Sequence, residues 1–355
     1  MSTTCLAKYA ITGSLSIALL AACSSAGSTR SAIIGSLSPQ AAGGFANNLA
    51  IQPIGAVHPD HRASWFSPNK KKSEGELWIS DEETQVVYIL SLPSLSTIAM
   101  LTGFNYPQGM CTAKNGDVWI ANTGTQQVLE YTRAGKKVAS LTDSIGNPVS
   151  CAVDAANDLA VTNITGASGG GQVLLYKNSS GTPTELSNPS QSEYFLDGFD
   201  PKGNLFVDGL TSGNTFILSE CAAGSTSCST ITINGATLYW PGFVEWNPAK
   251  KANDLVVGDQ FCGEDPNVAC AYSMTISGSA GTVTNTTPFE NSLGVHCDMV
   301  QGVINSKGDR VSGGEIVNGC YYGPSEVDTW NFPAGGTPNA YATKVSYPVG
   351  AALTK

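Results

Sequence analysis

Short runs of apolar residues, separated by turns rich in Gly, Asn, Asp and Ser, fill the chain from about Ser64 to its C-terminus. Their alternation and their β-branched and aromatic content point to strands, and no stretch carries a sustained helical period. One unit recurs six times: a Gly- or Asn-containing turn, an acidic residue or Asn, then a β-rich run. The copies are Gly75-Glu76-Leu77-Trp78-Ile79-Ser80, Gly116-Asp117-Val118-Trp119-Ile120-Ala121, Asn157-Asp158-Leu159-Ala160-Val161-Thr162, Gly203-Asn204-Leu205-Phe206-Val207-Asp208, Asn253-Asp254-Leu255-Val256-Val257-Gly258 and Gly308-Asp309-Arg310-Val311-Ser312-Gly313. With first strand residues at 77, 118, 159, 205, 255 and 310, the intervals are 41, 41, 46, 50 and 55 residues.

The neighbours of each copy complete a unit of four strands. Pro107-Gln108-Gly109-Met110-Cys111-Thr112 leads into the second copy, Gln127-Val128-Leu129-Glu130-Tyr131 follows it, and a turn at Thr132-Arg133-Ala134-Gly135 opens Lys137-Val138-Ala139-Ser140-Leu141. The third strand recurs as Gln85–Tyr88, Gln172–Tyr176, Thr215–Leu218 and Glu326–Trp330. Six tandem four-stranded units predict an all-β fold, a six-bladed β-propeller with four-stranded blades. A β-sandwich with recurring turns is the alternative, and it does not require matching neighbours around every copy. The C-terminal Pro348-Val349-Gly350-Ala351-Ala352-Leu353-Thr354 mirrors Pro107–Ala113, so it is expected to close the ring as an inner strand.

Composition narrows the setting. The chain has 355 residues with 39 Gly, 18 Pro and only 13% charged residues, which suits one large β domain with many turns. A net charge of -10 would repel a phosphate backbone, so no nucleic-acid partner is expected. Lys8, the apolar run from Ile11 to Ala22 and the small residues before Cys23 resemble a lipoprotein signal peptide, with Cys23 as the lipidated residue. A membrane span is the alternative, but the run falls short of the roughly 20 apolar residues that spanning takes. The expected organisation is therefore 1–22 signal peptide, 23–48 flexible linker and 49–355 propeller domain. Membrane contact is expected through the lipid anchor only.

Ten cysteines are present; Cys5 lies in the leader and Cys23 takes lipid, leaving eight for the domain. An even number in an exported protein favours disulfides. Cys221 with Cys228 and Cys262 with Cys270 are separated by short turns. Cys111 and Cys151 hold equivalent repeat positions and would bridge neighbouring blades, and Cys297 with Cys320 follows by elimination. Zinc is the rival use of these thiols, yet no Cys-x-x-Cys occurs and there are three histidines.

The repeats resemble NHL-type propeller repeats and, more loosely, gluconolactonase-like propellers, from about Ser64 onward. By analogy with such folds, ligands sit where loops run into the inner strands and out of the second strands. That places Gln108, Asp197, Trp240 and His296 with Asp81, Asn122, Asn163, Asp208 and Asp259 on a candidate rim. Gluconolactonase-like enzymes hold a divalent cation there. Here Gln108 stands where that pattern has Asp and Arg62-Ala63-Ser64-Trp65 lacks the acid, so only Asp197 and Asn291 fit as ligands, an incomplete oxygen shell for Ca²⁺. Related propeller lyases use histidines, but His58 and His61 fall in the linker region, which leaves His296 beside Asp298. No nucleophile elbow or phosphate-binding glycine loop occurs.

These features favour a non-catalytic cell-envelope lipoprotein whose propeller face binds an envelope protein, glycan or small ligand. A metal-dependent lactonase-like hydrolase or lyase using the central channel is the alternative, and a purely structural envelope protein is the third reading. No cofactor is expected; a divalent cation is the one candidate.

Overall fold

The computed structural model describes residues 63–67, 75–143, 145–166, 170–249, 253–264, 268–296, 298–316 and 324–355. Cys23, His58, His61, Cys297 and Cys320 lie outside the described residues, as do the leader and linker. Six antiparallel sheets follow one another, one per repeat. Blade 2 shows the plan: inner strand Pro107–Thr112, second Val118–Asn122, third Gln127–Tyr131 and outer Lys137–Thr142. Blade 3 begins with Gly146–Val153 and Leu159–Gly166, blade 4 with Glu193–Phe199 and Leu205–Leu210, and blade 5 with Pro241–Trp246 and Leu255–Asp259. Blade 6 comprises Asp298–Ile304, Arg310–Ile316, Glu326–Asn331 and Ala340–Ala342.

Blade 1 is composite, which is how the ring closes. Its second, third and outer strands are Glu76–Asp81, Val86–Ser91 and Ser96–Leu101, while its inner strand is the C-terminal Pro348–Thr354. The two ends of the fold pair antiparallel from Glu76 opposite Thr354 to Asp81 opposite Pro348. Closure removes the free sheet edges that an open array would expose. The plan has two additions: Trp65–Phe66 extends blade 1 beyond its outer strand, and Thr232–Asn234 joins the outer strand of blade 5 in parallel.

The repeated Gly or Asn has a mechanical reason. Gly116, Asn157, Gly203 and Gly308 all have positive φ, and each donates its amide back three residues, to Ala113, Asp154, Asp200 and Asn305. A left-handed residue at that point lets the inner strand reverse into the second strand, and Gly or Asn adopts it at least cost. Each inner strand then carries a register shift against its second strand, between Pro107 and Met110 in blade 2 and between Pro241 and Val244 in blade 5. Such bulges sharpen strand twist and re-aim side chains.

Residues opposite the bulge lock one blade to the next. Ser80 Oγ donates to the Gln108 carbonyl at 2.6 Å, Thr162 Oγ1 donates to the Phe195 carbonyl, and Asp208 Oδ2 accepts from the Gly242 amide at 2.9 Å. Apolar residues fill the space between blades: Trp78, Ile89, Ile120 and Leu129 between blades 1 and 2, and Trp330, Phe289, Phe243 and Val256 between blades 5 and 6. Three disulfides join Cys111 to Cys151, Cys221 to Cys228 and Cys262 to Cys270, the first linking the inner strands of blades 2 and 3.

Candidate functional site

Five of the six second strands carry a polar side chain at the first pair beyond the bulge: Asp81 opposite Pro348, Asn122 opposite Pro107, Asn163 opposite Pro148, Asp259 opposite Pro241 and Glu315 opposite Met299. Three of these clamp the incoming loop of their own blade. Asp81 accepts from the Ser346 and Tyr347 amides, Asn122 Oδ1 accepts from the Asn105 amide at 2.7 Å, and Asp259 accepts from Tyr239, Trp240 and Phe261. In blade 4 the equivalent residue is Gly209, opposite Tyr194. Asp208 lies one position earlier, where it accepts from Leu196 as well as Gly242. Burial, opposed by these amides and reinforced by the charges of Asp197 and Asp259, holds its carboxyl well above the usual range.

The expected rim is therefore a buried framework rather than an open row of ligands. Asn122, Asp208 and Asp259 are 3% exposed or less and direct their oxygens to backbone amides. Asn163 is fully buried and its side-chain amide has no partner. Gln108 is buried beside Glu82, whose carboxyl is pushed up to about 8 by burial and by Asp81, with the Gln108 side chain opposing. His296 is half-buried with Nδ1 2.7 Å from the Phe289 carbonyl. Asn291, the other cation candidate, is buried and accepts from the Leu293 and Val295 amides.

The register of blade 6 corrects one reading. Val311, not Arg310, occupies the place of Val118: Ile304 pairs with Val311 as Thr112 pairs with Val118. An extra residue after Gly308 shifts the copy by one and carries the equivalent of Asn122 to Glu315. The repeat unit Gly308–Gly313 ends two residues short of it.

An axial cavity of about 270 Å³ occupies the other half of the ring, from the bulges to the outgoing ends of the inner strands. Phe199, Trp246 and Thr112, each partly exposed, stand at that end. Gln301 crosses beside the cavity: its Oε1 accepts from Met110 and Ala351, and its Nε2 donates to the Met110 carbonyl. One inner-strand amide thus ties blade 6 to blades 1 and 2. Of the predicted rim residues, only Asp197 lines this cavity, beside the disulfide cysteines Cys111 and Cys151. Neither of its oxygens makes a well-formed hydrogen bond, and burial pushes its carboxyl up to about 8, opposed by the neighbouring Ser150 hydroxyl. Glu245 is the second acid in the lining; enclosed by protein yet open to the cavity, it is likewise pushed up to about 8 by burial, opposed by the Ile304 amide at 2.7 Å. Sequence reasoning missed Glu245 and Gln301; their signal was a polar residue inside an otherwise apolar inner strand.

Two carboxyls in a small chamber of mixed polar and apolar lining can accept hydrogen bonds or ionise against a cation, and acids titrating near neutrality can exchange protons. Residues 104–131, most of blade 2, match the NHL repeat family. No curated protein matches the chain. Among solved structures, a protein of unknown function from Bacteroides caccae is similar at TM-score 0.57 and 11% identity, covering 79% of this chain and 99% of that one. A functionally unknown protein from Desulfotomaculum acetoxidans gives 0.52 and 11%, covering 79% and 99%, and the hydrazine synthase of Kuenenia stuttgartiensis gives 0.52 and 12%, covering 72% and 73%. At these identities the likeness is one of fold.

Proposed function

We propose that the protein is a lipid-anchored binding protein of the cell envelope that takes a small ligand bearing a basic nitrogen into its axial cavity. The observation that carries this reading is the pair Asp197 and Glu245 in one chamber otherwise walled by residues such as Met110, Phe243 and Val303. At neutral pH both acids are largely protonated, so an ammonium ion entering the cavity would displace one carboxyl proton to solvent, and a neutral amine would take that proton itself; either leaves an ion pair in the chamber. The apolar walls would hold the rest of the ligand, and the chamber approaches the roughly 300 Å³ at which small-molecule sites begin. A thermal-shift and calorimetric screen of small amines against the intact protein tests the reading. Binding that weakens at least about tenfold in Asp197→Asn and in Glu245→Gln supports it; amine binding indifferent to both changes would sink it.

The raised acids also fit a second reading, an acid–base hydrolase or lyase in the same chamber. Product formation from a bound ligand, lost in Asp197→Asn, would replace binding by catalysis. Anchoring is tested separately: Cys23→Ser should abolish incorporation of labelled fatty acid and release the protein from membranes.

A further inference from the structure

A second group of acids lies away from the channel, on the face of blade 6 turned toward blade 5. Glu315, one residue before the end of the second strand, pairs with Glu326 on the third strand, and Asp328 follows two residues later on the same face. Trp330 continues that face and packs on Phe289 at a centroid distance of 4.9 Å. One carboxylate oxygen from each of Glu315, Glu326 and Asp328 lies within 4.8 Å of the others, and all three side chains are buried. Ser292 donates its amide and its hydroxyl to Glu326, at 3.0 and 2.6 Å.

Apart from the contact between their two carboxyls, the oxygens of Glu315 and Asp328 meet no donor, although the residues are 1% and 0% exposed. Asp298, 5% exposed, adds its charge to that felt by Glu315 and also has an oxygen without a partner. Among the described residues, no lysine or arginine pairs with any of the four. Two other buried acids of the ring, Asp81 and Asp259, accept instead from backbone amides. Converging, buried carboxylates with no cation, and with amide and hydroxyl donors at Glu326 alone, call for a positive charge from outside the chain.

We propose that Glu315, Glu326 and Asp328 bind a divalent cation, and that the cation is calcium. The three acids offer only oxygen, which suits a hard ion, and as bidentate ligands they supply up to six of the six to eight oxygens calcium takes. Asp298 or the Ser292 hydroxyl stands ready as a further donor. Magnesium holds on to several waters and fits a dry pocket poorly, and zinc sites are usually built with nitrogen or sulfur. The bound ion joins the second and third strands of blade 6 to the Ser292 segment that arrives from blade 5. It also borders the ring seam, because Gly314 packs directly on Pro348, the first residue of the closing strand.

The test uses the full-length protein stripped with a chelator. Millimolar CaCl2 should raise Tm by several degrees, and Tb³⁺ should bind at the same site and luminesce when tryptophan is excited. Trp330 lies two residues along the strand from Asp328, roughly 7 Å away. Glu315→Gln and Asp328→Asn should fold normally without metal, because each removes a buried unpaired charge, yet lose affinity by more than the roughly 10- to 100-fold that losing an outer partner of a metal ligand costs. Asp197→Asn, in the axial cavity, should keep the full calcium response, which separates this site from the amine site. The proposal fails if calcium moves neither Tm nor the terbium signal, the result expected if Glu315 and Asp328 merely share a proton. It fails equally if the two variants respond to calcium as the parent does.

Discussion

Blades 2 and 6 put different residues at one structural position, and the contrast separates what the fold needs from what it does not. At the end of the second strand of blade 2, Asn122 reaches the Asn105 amide and closes its own blade. Asp81 and Asp259 do the same with more amides in blades 1 and 5. In blade 6 the position belongs to Glu315, whose longer side chain meets Asp328 and Glu326. A polar residue here is by default a structural clamp. Where no amide meets it, the same position becomes a candidate ligand.

Cutting the chain after Tyr347 gives the largest expected effect, because it removes the inner strand of blade 1 and with it the register from Glu76 to Asp81. The truncated protein should show no cooperative thermal transition by circular dichroism. A smaller change at the same seam is Gly350→Ala: an added Cβ would lie 2.2 Å from the Gln108 carbonyl, and overpacking of this kind costs about 1–3 kcal/mol. Asp259→Ala costs more than Gly350→Ala, because it strands the Tyr239, Trp240 and Phe261 amides. At about 1–3 kcal/mol for each buried donor left unmet, partly relieved by water, a loss of about 3–5 kcal/mol in urea unfolding is expected. If Asp259→Ala instead unfolds at the parental midpoint, the clamp has no energetic content.

Disulfides extend the comparison to links between blades. The 40-residue separation of Cys111 and Cys151 predicts about 4 kcal/mol from chain entropy, against about 2 kcal/mol for the 7-residue separation of Cys221 and Cys228. Denaturation midpoints of Cys111→Ala/Cys151→Ala and Cys221→Ala/Cys228→Ala should therefore differ in that order. Equal losses would mean that the blade 2–3 link adds nothing beyond its local geometry.

What could be read in the sequence follows from how each feature is encoded. The blades were legible because the turn chemistry at Gly116, Asn157, Gly203 and Gly308 repeats with the strands it connects. Ring closure was legible because Pro348–Thr354 copies the inner-strand pattern of Pro107–Thr112. The site was much less so. A terminal Asp or Asn looks the same in sequence whether it faces a ligand or a backbone amide, and only the loop's return decides. Asp208 reads in the sequence as a strand-end residue, but Gly209 holds the place beyond the bulge, since the shift between Tyr194 and Asp197 moves the pairing. Glu315 was hidden by one extra residue after Gly308, a shift too small to disturb the repeat. Glu245 and Gln301 escaped notice because inner strands were read for their ends rather than for the side chains turned to the axis.

The smallest expected effect is also the most diagnostic, because its sign is opposite to that of the clamps. Glu82, Asp197, Glu245 and Asp328 are each pushed to about 8, and Asp298 to about 7, chiefly by burial. Their folded forms keep protons that the unfolded chain has lost above roughly pH 4. Stability without metal should therefore fall as pH rises from about 4 toward 8. Glu315, held well above its usual value by burial and by Asp328, Glu326 and Asp298, contributes to that decline. Glu315→Gln should leave stability unchanged at pH 5 and flatten the fall toward pH 8, so the variant ends above its parent in chelator. Asp259→Asn, which sets an amide NH2 against backbone donors, should lie below its parent across the whole range. Melting curves of the two variants at pH 5 and pH 8 decide the matter: parallel behaviour would erase the distinction between clamp and ligand, and divergence in the stated directions would fix it to the amides that Asp259 has and Glu315 lacks.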